Sequence, residues 1–255
     1  MANDPIGATV TKFSIRGRAE IENNVEALSL LAAEWFVRFV AERPGVARIA
    51  LAGGSTPREL YRILCSVPFR DRIPWQRLEF YWGDERFVPH DDVASNFRMV
   101  KEAMLSNVPV PPGHIHPIPT DVSPADAAAR YEAVLRSVYG ADRFDPARPM
   151  FDLMLLGLGS DGHTCSLLPG QPVLAEREHW VAPVAAGRVE PRITLTYPAV
   201  ESSHTIAFLA VGAEKAAAVK AVRAGDTNLP AARIVPHGDV IWFLDRAAAD
   251  ERADG

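Results

Sequence analysis

The sequence predicts an α/β fold, a mostly parallel sheet with helices on both faces. Two observations carry this expectation. Short apolar runs such as "VARIALAG", "FDLMLLGLG", "HTIAFLAVG" and "DVIWFLD" alternate with longer segments of helical periodicity. Strands that are apolar throughout, rather than alternating, need cover on both faces, which is the signature of parallel sheets with crossover helices.

The elements follow in order. "RAEIENNVEALSLLAAEWFVRFVAE" places Ile21, Val25, Leu28, Ala32, Trp35, Phe36 and Phe39 at helical spacing, so one long helix is expected there, ended by Pro44-Gly45. "VARIALAG" reads as a buried strand, and "TPRELYRIL" as a helix with Pro57 in its first turn. "RLEFYWGDE" is a strand and "SNFRMVKEAML" a helix that Ser95 would cap. "PADAAARYEAVLRSVY" is a helix, "FDLMLLGLG" a strand, and "HTIAFLAVG", "EKAAAVKAVRAG" and "DVIWFLD" continue as strand, helix, strand. The proline-rich "VPVPPGHIHPIPTD" is expected as a long surface loop, and "RAAADERADG" as a short fraying helix and tail.

A chain of 255 residues suits one large α/β domain or two small ones. With no repeat and no low-complexity linker, residues 1–255 are expected to form a single domain. Residues around 165–200 are the candidates for a small accessory lobe. The 48% hydrophobic and 23% charged shares are those of a soluble globular protein. A net charge of -5 argues against a nucleic-acid or anionic-membrane partner. No apolar run is long enough to span a bilayer, and "MANDPIGATV" lacks a basic, then apolar, leader pattern. Only two cysteines occur, Cys65 and Cys165, far apart, so no disulfide framework is expected and a cytoplasmic setting fits. Oligomeric state is not written in the sequence, and a monomer is the simpler expectation.

In an open parallel sheet, ligands bind at the carboxyl ends of the strands. Three strands here end in polar, glycine-rich turns that would meet at one edge: "GGSTP", "GDER" and "GLGSDGH". In the first, Gly53 and Gly54 permit close backbone approach, and Ser55 and Thr56 stand beside the free N–H groups of the following helix. That is a way to hold a phosphate without a lysine-bearing loop, although a plain hydroxyl N-cap is an equal reading. In "GDER" the carboxylates of Asp84 and Glu85 could bind hydroxyls, orient a histidine or act as a base, but taken alone Asp84, Glu85 and Arg86 read as a solvated turn whose arginine pairs with its neighbours. "GLGSDG" fits G-x-G-x-x-G, yet Pro169-Gly170 stops any following helix after barely two turns, so a dinucleotide loop is rejected. What remains is a glycine turn that delivers His163 to a short helix start, where the dipole would favour a neutral imidazole able to act as a base.

Cys165, two residues on from His163, would not face it on a helix and reads as a packed thiol. His114 and His116 lack a third ligand at metal-site spacing and read as loop residues. Arg192, which opens "RITLTYPAV", and Lys215, in "VGAEKAAAVKAV", read as surface charges when each is taken alone.

Together, "LAGGSTPREL", "WGDERFVPHDDVASNFRMV", "GLGSDGHTCSLLPG", "RITLTYPAV" and "GAEKAAAV" resemble the 6-phosphogluconolactonase family in order and spacing, from about Phe36 to Leu244. The resemblance implies a Rossmann-like single α/β domain related to glucosamine-6-phosphate deaminase. It also implies metal-independent, cofactor-free hydrolysis of 6-phospho-D-glucono-1,5-lactone to 6-phospho-D-gluconate in the pentose phosphate pathway. By motif, His163 is the implied base and later acid, with Asp84 and Arg86 beside the reacting end. Gly53, Gly54, Ser55, Thr56, Asn96, Gly159, Asp161 and Gly162 are implied to line the substrate site, with Arg192 and Lys215 toward the phosphate. Cys165 stands where the family commonly has alanine, and Leu168 where it often has phenylalanine; both keep a small or apolar side chain. The related deaminases resemble "NGHIGFNEP" at the histidine loop, whereas this chain has Asp161 for the asparagine and "SLLPG" in place of the segment bearing the glutamate. A non-catalytic sugar-phosphate sensor would be expected to add a basic DNA-binding segment, which is missing here.

Overall fold

The computed structural model describes residues 15–186 and 188–250. The expectations placed on "MANDPIGATV" and on the last five residues lie outside these. Strands β1 (Arg18–Glu22), β2 (Ala47–Leu51), β3 (Leu78–Trp82), β4 (Asp84–Arg86), β5 (Ile115–His116), β6 (Phe151–Gly157), β7 (Val181–Val184), β8 (Arg192–Leu195), β9 (Ser203–Ala210) and β10 (Asp239–Asp245) form two sheets. The helices are α1 (Val25–Ala41), α2 (Ser55–Leu64), α3 (Asn96–Ala103), α4 (Pro124–Tyr139), α5 (Tyr197–Glu201) and α6 (Ala216–Ala224).

The larger sheet has the order β1-β10-β9-β6-β2-β3-β5, and every pair in it is parallel. Its central strands carry consecutive buried residues, Ile49-Ala50-Leu51 in β2 and Leu153 to Leu156 in β6. This is the pattern of a sheet covered on both faces. Chain order reverses between β2 and β6, because β3 and β5 extend one way from β2 while β9, β10 and β1 extend the other.

The smaller sheet, β4-β8-β7, is antiparallel. It is the accessory lobe expected around 165–200, but it also recruits β4, which the sequence reading had joined to β3. The chain breaks at Gly83 because its N–H bonds Leu51 of the large sheet while its carbonyl accepts from Leu195 of the small one.

Three other expectations need correction. Ile21 lies in β1 rather than on the first helix, which Asn24 caps by accepting from Ala27 N–H. The proline-rich loop holds the edge strand β5, because Ile115 and His116 pair with Phe80 and Tyr81. Residues 246–250 form turns rather than a helix.

α1 buries Leu28, Ala32, Phe36 and Val40 along one face, and its half-buried Trp35 meets Phe243 of β10 edge-on at 5.4 Å. In β9 and β10, Phe208 stacks on Trp242 at 4.0 Å, both fully buried. Each such side chain contributes roughly 1.5–3 kcal/mol on burial.

Two tyrosines buckle helices to strand ends. Tyr61 of α2 places its hydroxyl between the N–H and C=O of Ala52, at 3.0 and 2.9 Å. Tyr131 of α4 does the same for Trp82, at 2.8 and 3.1 Å. Both positions are where β2 and β3 leave the sheet, and a buried peptide without partners there is costly. Tyr131→Phe is therefore expected to lose about 1–3 kcal/mol of stability in urea denaturation; an unchanged midpoint and slope would refute the buckle.

Candidate active site

The three glycine-rich strand ends do meet. Gly53 to Thr56 after β2, Asp84 and Arg86 after β3, and Gly157 to Gly159 with His163 after β6 line one cavity of about 220 Å³. A fourth strand end, Leu209 to Val211 after β9, closes it, together with Asn96, Arg192 and Lys215. The cavity sits where chain order reverses between β2 and β6, the position at which open α/β sheets bind ligands.

At the end of β2, α2 begins on Gly54 without any side-chain cap. The hydroxyl-cap alternative for Ser55 or Thr56 is thus not realised, and the free N–H groups of the first helical turn remain available to an anion. Gly53 is required by close approach, since a Cβ there would overlap the Asn96 amide.

In β4 the side chains alternate, as in any strand. Asp84 and Arg86 face the cavity, while buried Glu85 points behind it to α3. Glu85 accepts from Ser95 Oγ (3.0 Å), Asn96 N–H (2.6 Å) and Phe97 N–H (2.7 Å). Burial pushes its pKa up, against the pull of these donors. Asp84 accepts from Ser166 Oγ at 2.6 Å, and Asn96 Nδ2 donates to the Asp84 carbonyl at 2.9 Å.

β4 and β8 pair antiparallel with Arg86 directly opposite Arg192. Like charges facing each other on a sheet repel. Relief within the chain is partial: Arg86 donates to the Ala94 carbonyl at 2.6 Å, and Arg192 lies 3.9 Å from Asp84. Burial lowers the Arg192 pKa, with Asp84 opposing. The Nε of each arginine is buried without a hydrogen-bond partner. Three cations (Arg86, Arg192, Lys215) against one carboxylate (Asp84) make this cavity suited to an anion.

His163 is held differently from the expectation. No helix follows it: residues 164–168 make a tight turn bridged from Thr164 to Leu167, so the imidazole does not sit at the start of its own helix. Its neighbour is instead Asp161, whose Oδ1 lies 2.5 Å from His163 Nδ1. Oδ1 also accepts the His163 backbone N–H at 3.2 Å. Asp161 Oδ2 accepts from Arg188 at 2.8 Å. Partial burial pushes the Asp161 carboxyl up, but the His163 and Arg188 hydrogen bonds outweigh it and hold its pKa at about 2. The aspartate is therefore ionised at neutral pH and accepts the hydrogen bond of Nδ1–H, which leaves the lone pair on Nε2. Gly159 has no alternative here, because a Cβ would run into the His163 ring, and Gly162 takes a positive φ of 76° to turn the chain.

Asp84, which the sequence left open as an orienter of His163, is engaged with Ser166 and Asn96 instead. Cys165 is not on a helix; it occupies a left-handed backbone position (φ 48°), and burial, with Asp84 nearby, raises its thiol pKa well above normal. His114 and His116 do not converge on each other: His114 faces the Leu78 carbonyl and His116 pairs with Glu79 at 2.9 Å. Among the described residues, no three His, Cys, Asp or Glu side chains come together in a metal-binding group. None of the helices among these residues is long and apolar enough to cross a membrane.

Ser166 and Arg188 are the contacts that sequence reasoning missed. Ser166 stood inside the quoted histidine loop, but its facing Asp84 depends on the small sheet. Arg188 lies between β7 and β8, and nothing in its spacing relates it to His163.

The model for glucosamine-6-phosphate isomerases/6-phosphogluconolactonase matches residues 22–242. The chain is 38% identical over 239 residues to 6-phosphogluconolactonase 3, chloroplastic, of Arabidopsis thaliana, covering 90% of this chain and 72% of that protein. It is 39% identical over 217 residues to 6-phosphogluconolactonase of Synechocystis sp., covering 83% and 86%. Among solved structures, 6-phosphogluconolactonase from Trypanosoma cruzi superposes with a TM-score of 0.79 at 27% identity, covering 94% of this chain and 98% of that one. A monomeric glucosamine-6-phosphate deaminase superposes with a TM-score of 0.77 at 25% identity, covering 92% and 100%. With its sheet, its cavity and nearly its whole length accounted for, the chain belongs to the glucosamine-6-phosphate isomerase/6-phosphogluconolactonase family.

Proposed function

We propose that this chain hydrolyses 6-phospho-D-glucono-1,5-lactone to 6-phospho-D-gluconate, the second step of the oxidative pentose phosphate pathway, with His163 as general base and then acid. The observation that carries this reading is the Asp161–His163 pair opening onto a cavity shared with an uncapped helix N-terminus and three cations. The cavity shared by strand ends along the chain supports a single working unit, the two unpaired cysteines suit the cytoplasm, and a monomer is the simpler arrangement.

In this mechanism His163 Nε2 takes a proton from water as the water oxygen attacks the lactone carbonyl. Asp161 holds the tautomer and stabilises the imidazolium that forms. Arg86 faces the oxyanion, and the imidazolium then returns its proton to the departing ring oxygen. Asp84 and Asn96 hold sugar hydroxyls. Ser55, Thr56, Arg192 and Lys215 hold the phosphate, whose binding energy positions the remote carbonyl.

A deaminase reading has the structural likeness in its favour. Against it, no glutamate lines the cavity, and the segment after His163 buries Leu167 and Leu168. Ammonia release from glucosamine-6-phosphate would establish that reading instead.

Three outcomes are expected. His163→Ala should fold normally and lose about 10²–10⁴-fold in activity, corrected for spontaneous hydrolysis; activity within a few-fold of wild type removes His163 from the mechanism. Exhaustive chelation and Cys165→Ala should each leave turnover near normal, and a loss restored by added metal would overturn the metal-independent mechanism. Lys215→Ala should lower kcat/KM for the phosphorylated lactone by roughly ten- to a hundred-fold, since a charge-assisted hydrogen bond contributes about 1.5–3 kcal/mol. Unphosphorylated gluconolactone should be barely affected by this change. Equal losses on both lactones would make Lys215 a residue of the fold or the chemistry.

A further inference from the structure

We infer that Arg188 is a positioning residue for this reaction, holding Asp161 so that Asp161 holds His163; the inference rests on the reading of His163 as the base. The two oxygens of Asp161 are divided between the two partners. Oδ1 belongs to the histidine, through Nδ1 at 2.5 Å and the backbone N–H at 3.2 Å, and Oδ2 belongs to Arg188 at 2.8 Å.

Arg188 also lies 3.3 Å from His163 Nδ1. A guanidinium has no lone pair, so this nitrogen cannot accept the Nδ1 proton. A Nδ1 lone pair facing the Asp161 oxygen at 2.5 Å would be repelled, so the proton lies on the line to Asp161. The arginine therefore acts on the ring through the carboxylate.

The backbone of the histidine loop is braced by Ala231 N–H on the Gly162 carbonyl (2.9 Å), Gly159 N–H on the His163 carbonyl (2.8 Å) and Thr164 Oγ1 on the Gly157 carbonyl (2.8 Å), but none of these holds the Asp161 carboxylate. The bonds of Asp161 to His163 lie within one turn, so the orientation of the carboxylate relative to the rest of the fold is set by its other oxygen. Arg188 comes from a different element, the connection 185–191 between β7 and β8. Its ion pair thus ties the turn that follows β6 of the large sheet to the small sheet. Arg86, Arg192 and Lys215 line the cavity with His163, whereas Arg188 meets the imidazole at its Nδ1 side, together with Asp161. Arginine keeps its charge at all working pH values, and Asp161, at a pKa of about 2, does as well.

The test compares wild type, Arg188→Ala, Arg188→Lys and His163→Ala on phosphorylated and unphosphorylated gluconolactone, with kcat and KM separated. The His163 Nδ1 proton is followed by NMR, and folding is checked by thermal melting. Arg188→Ala is expected to melt like wild type and to lower kcat by roughly ten- to a hundred-fold on both lactones, the scale of a misplaced catalytic group. KM for the phosphorylated lactone should change by less than about threefold. Because one guanidinium nitrogen makes both contacts, Arg188→Lys should recover kcat to within roughly fivefold. The downfield Nδ1 proton should persist in wild type and Arg188→Lys and vanish by exchange in Arg188→Ala. Wild-type kcat in Arg188→Ala beside an inactive His163→Ala would overturn the inference and leave the base intact. A loss confined to KM of the phosphorylated lactone would also overturn it, making Arg188 a phosphate ligand. An active His163→Ala would remove the base and this inference together.

Discussion

Parallel pairing of β2 with β3 and β6, and of β6 with β9, is the constraint on which the site depends. Parallel strands all finish at the same edge, and each must leave it through a loop before its crossover. Four such exits meet around one cavity. An antiparallel sheet of the same strands would have sent half of these loops to the opposite edge. The exits need anchoring, because strand ends lose their ladder partners just where the site needs rigid geometry. The Tyr61 and Tyr131 hydroxyls provide this, each closing with one atom both backbone polar groups of the residue at a strand end, Ala52 and Trp82.

The small antiparallel sheet supplies the charge. Its strands bring Arg86 and Arg192 into register opposite each other, a like-charge arrangement that an anion between them would relieve. Glu85, between Asp84 and Arg86 in sequence, does different work because a strand alternates its faces. One short segment thus lines the cavity with two side chains and, with the third, binds the N-terminus of α3. That helix in turn presents Asn96, which packs on Gly53 and bonds Asp84. Cavity wall and core support are one connected hydrogen-bond system.

The histidine shows how local and long-range effects divide. Gly159 and Gly162 let the chain turn and leave room for the ring, while Asp161 selects the tautomer from two residues away. These contacts are short in sequence, two residues apart. The Arg188 contact spans 27 residues and exists only because β7 and β8 fold back. The ordinary -5 charge of the whole chain conceals this local excess of cations.

Composition, apolar runs and glycine placement determined the parallel α/β class, most element positions and the meeting of three strand ends, because burial and turn chemistry are local properties of a sequence. The motifs at Gly53 to Thr56, at Asp84 to Arg86 and around His163 were legible for the same reason. What only the tertiary structure decided were relations across elements. β4 left β3 for a second sheet because Gly83 bonds both. The segment after His163 became a bridged turn instead of a helix. Asp161, rather than Asp84 or a helix dipole, orients the imidazole by accepting from its Nδ1–H, and Arg188 arrived from a loop with no sequence signal. Each of these depends on which partner a backbone or carboxylate group meets in space, and spacing along a single chain does not encode that meeting until the sheets have formed.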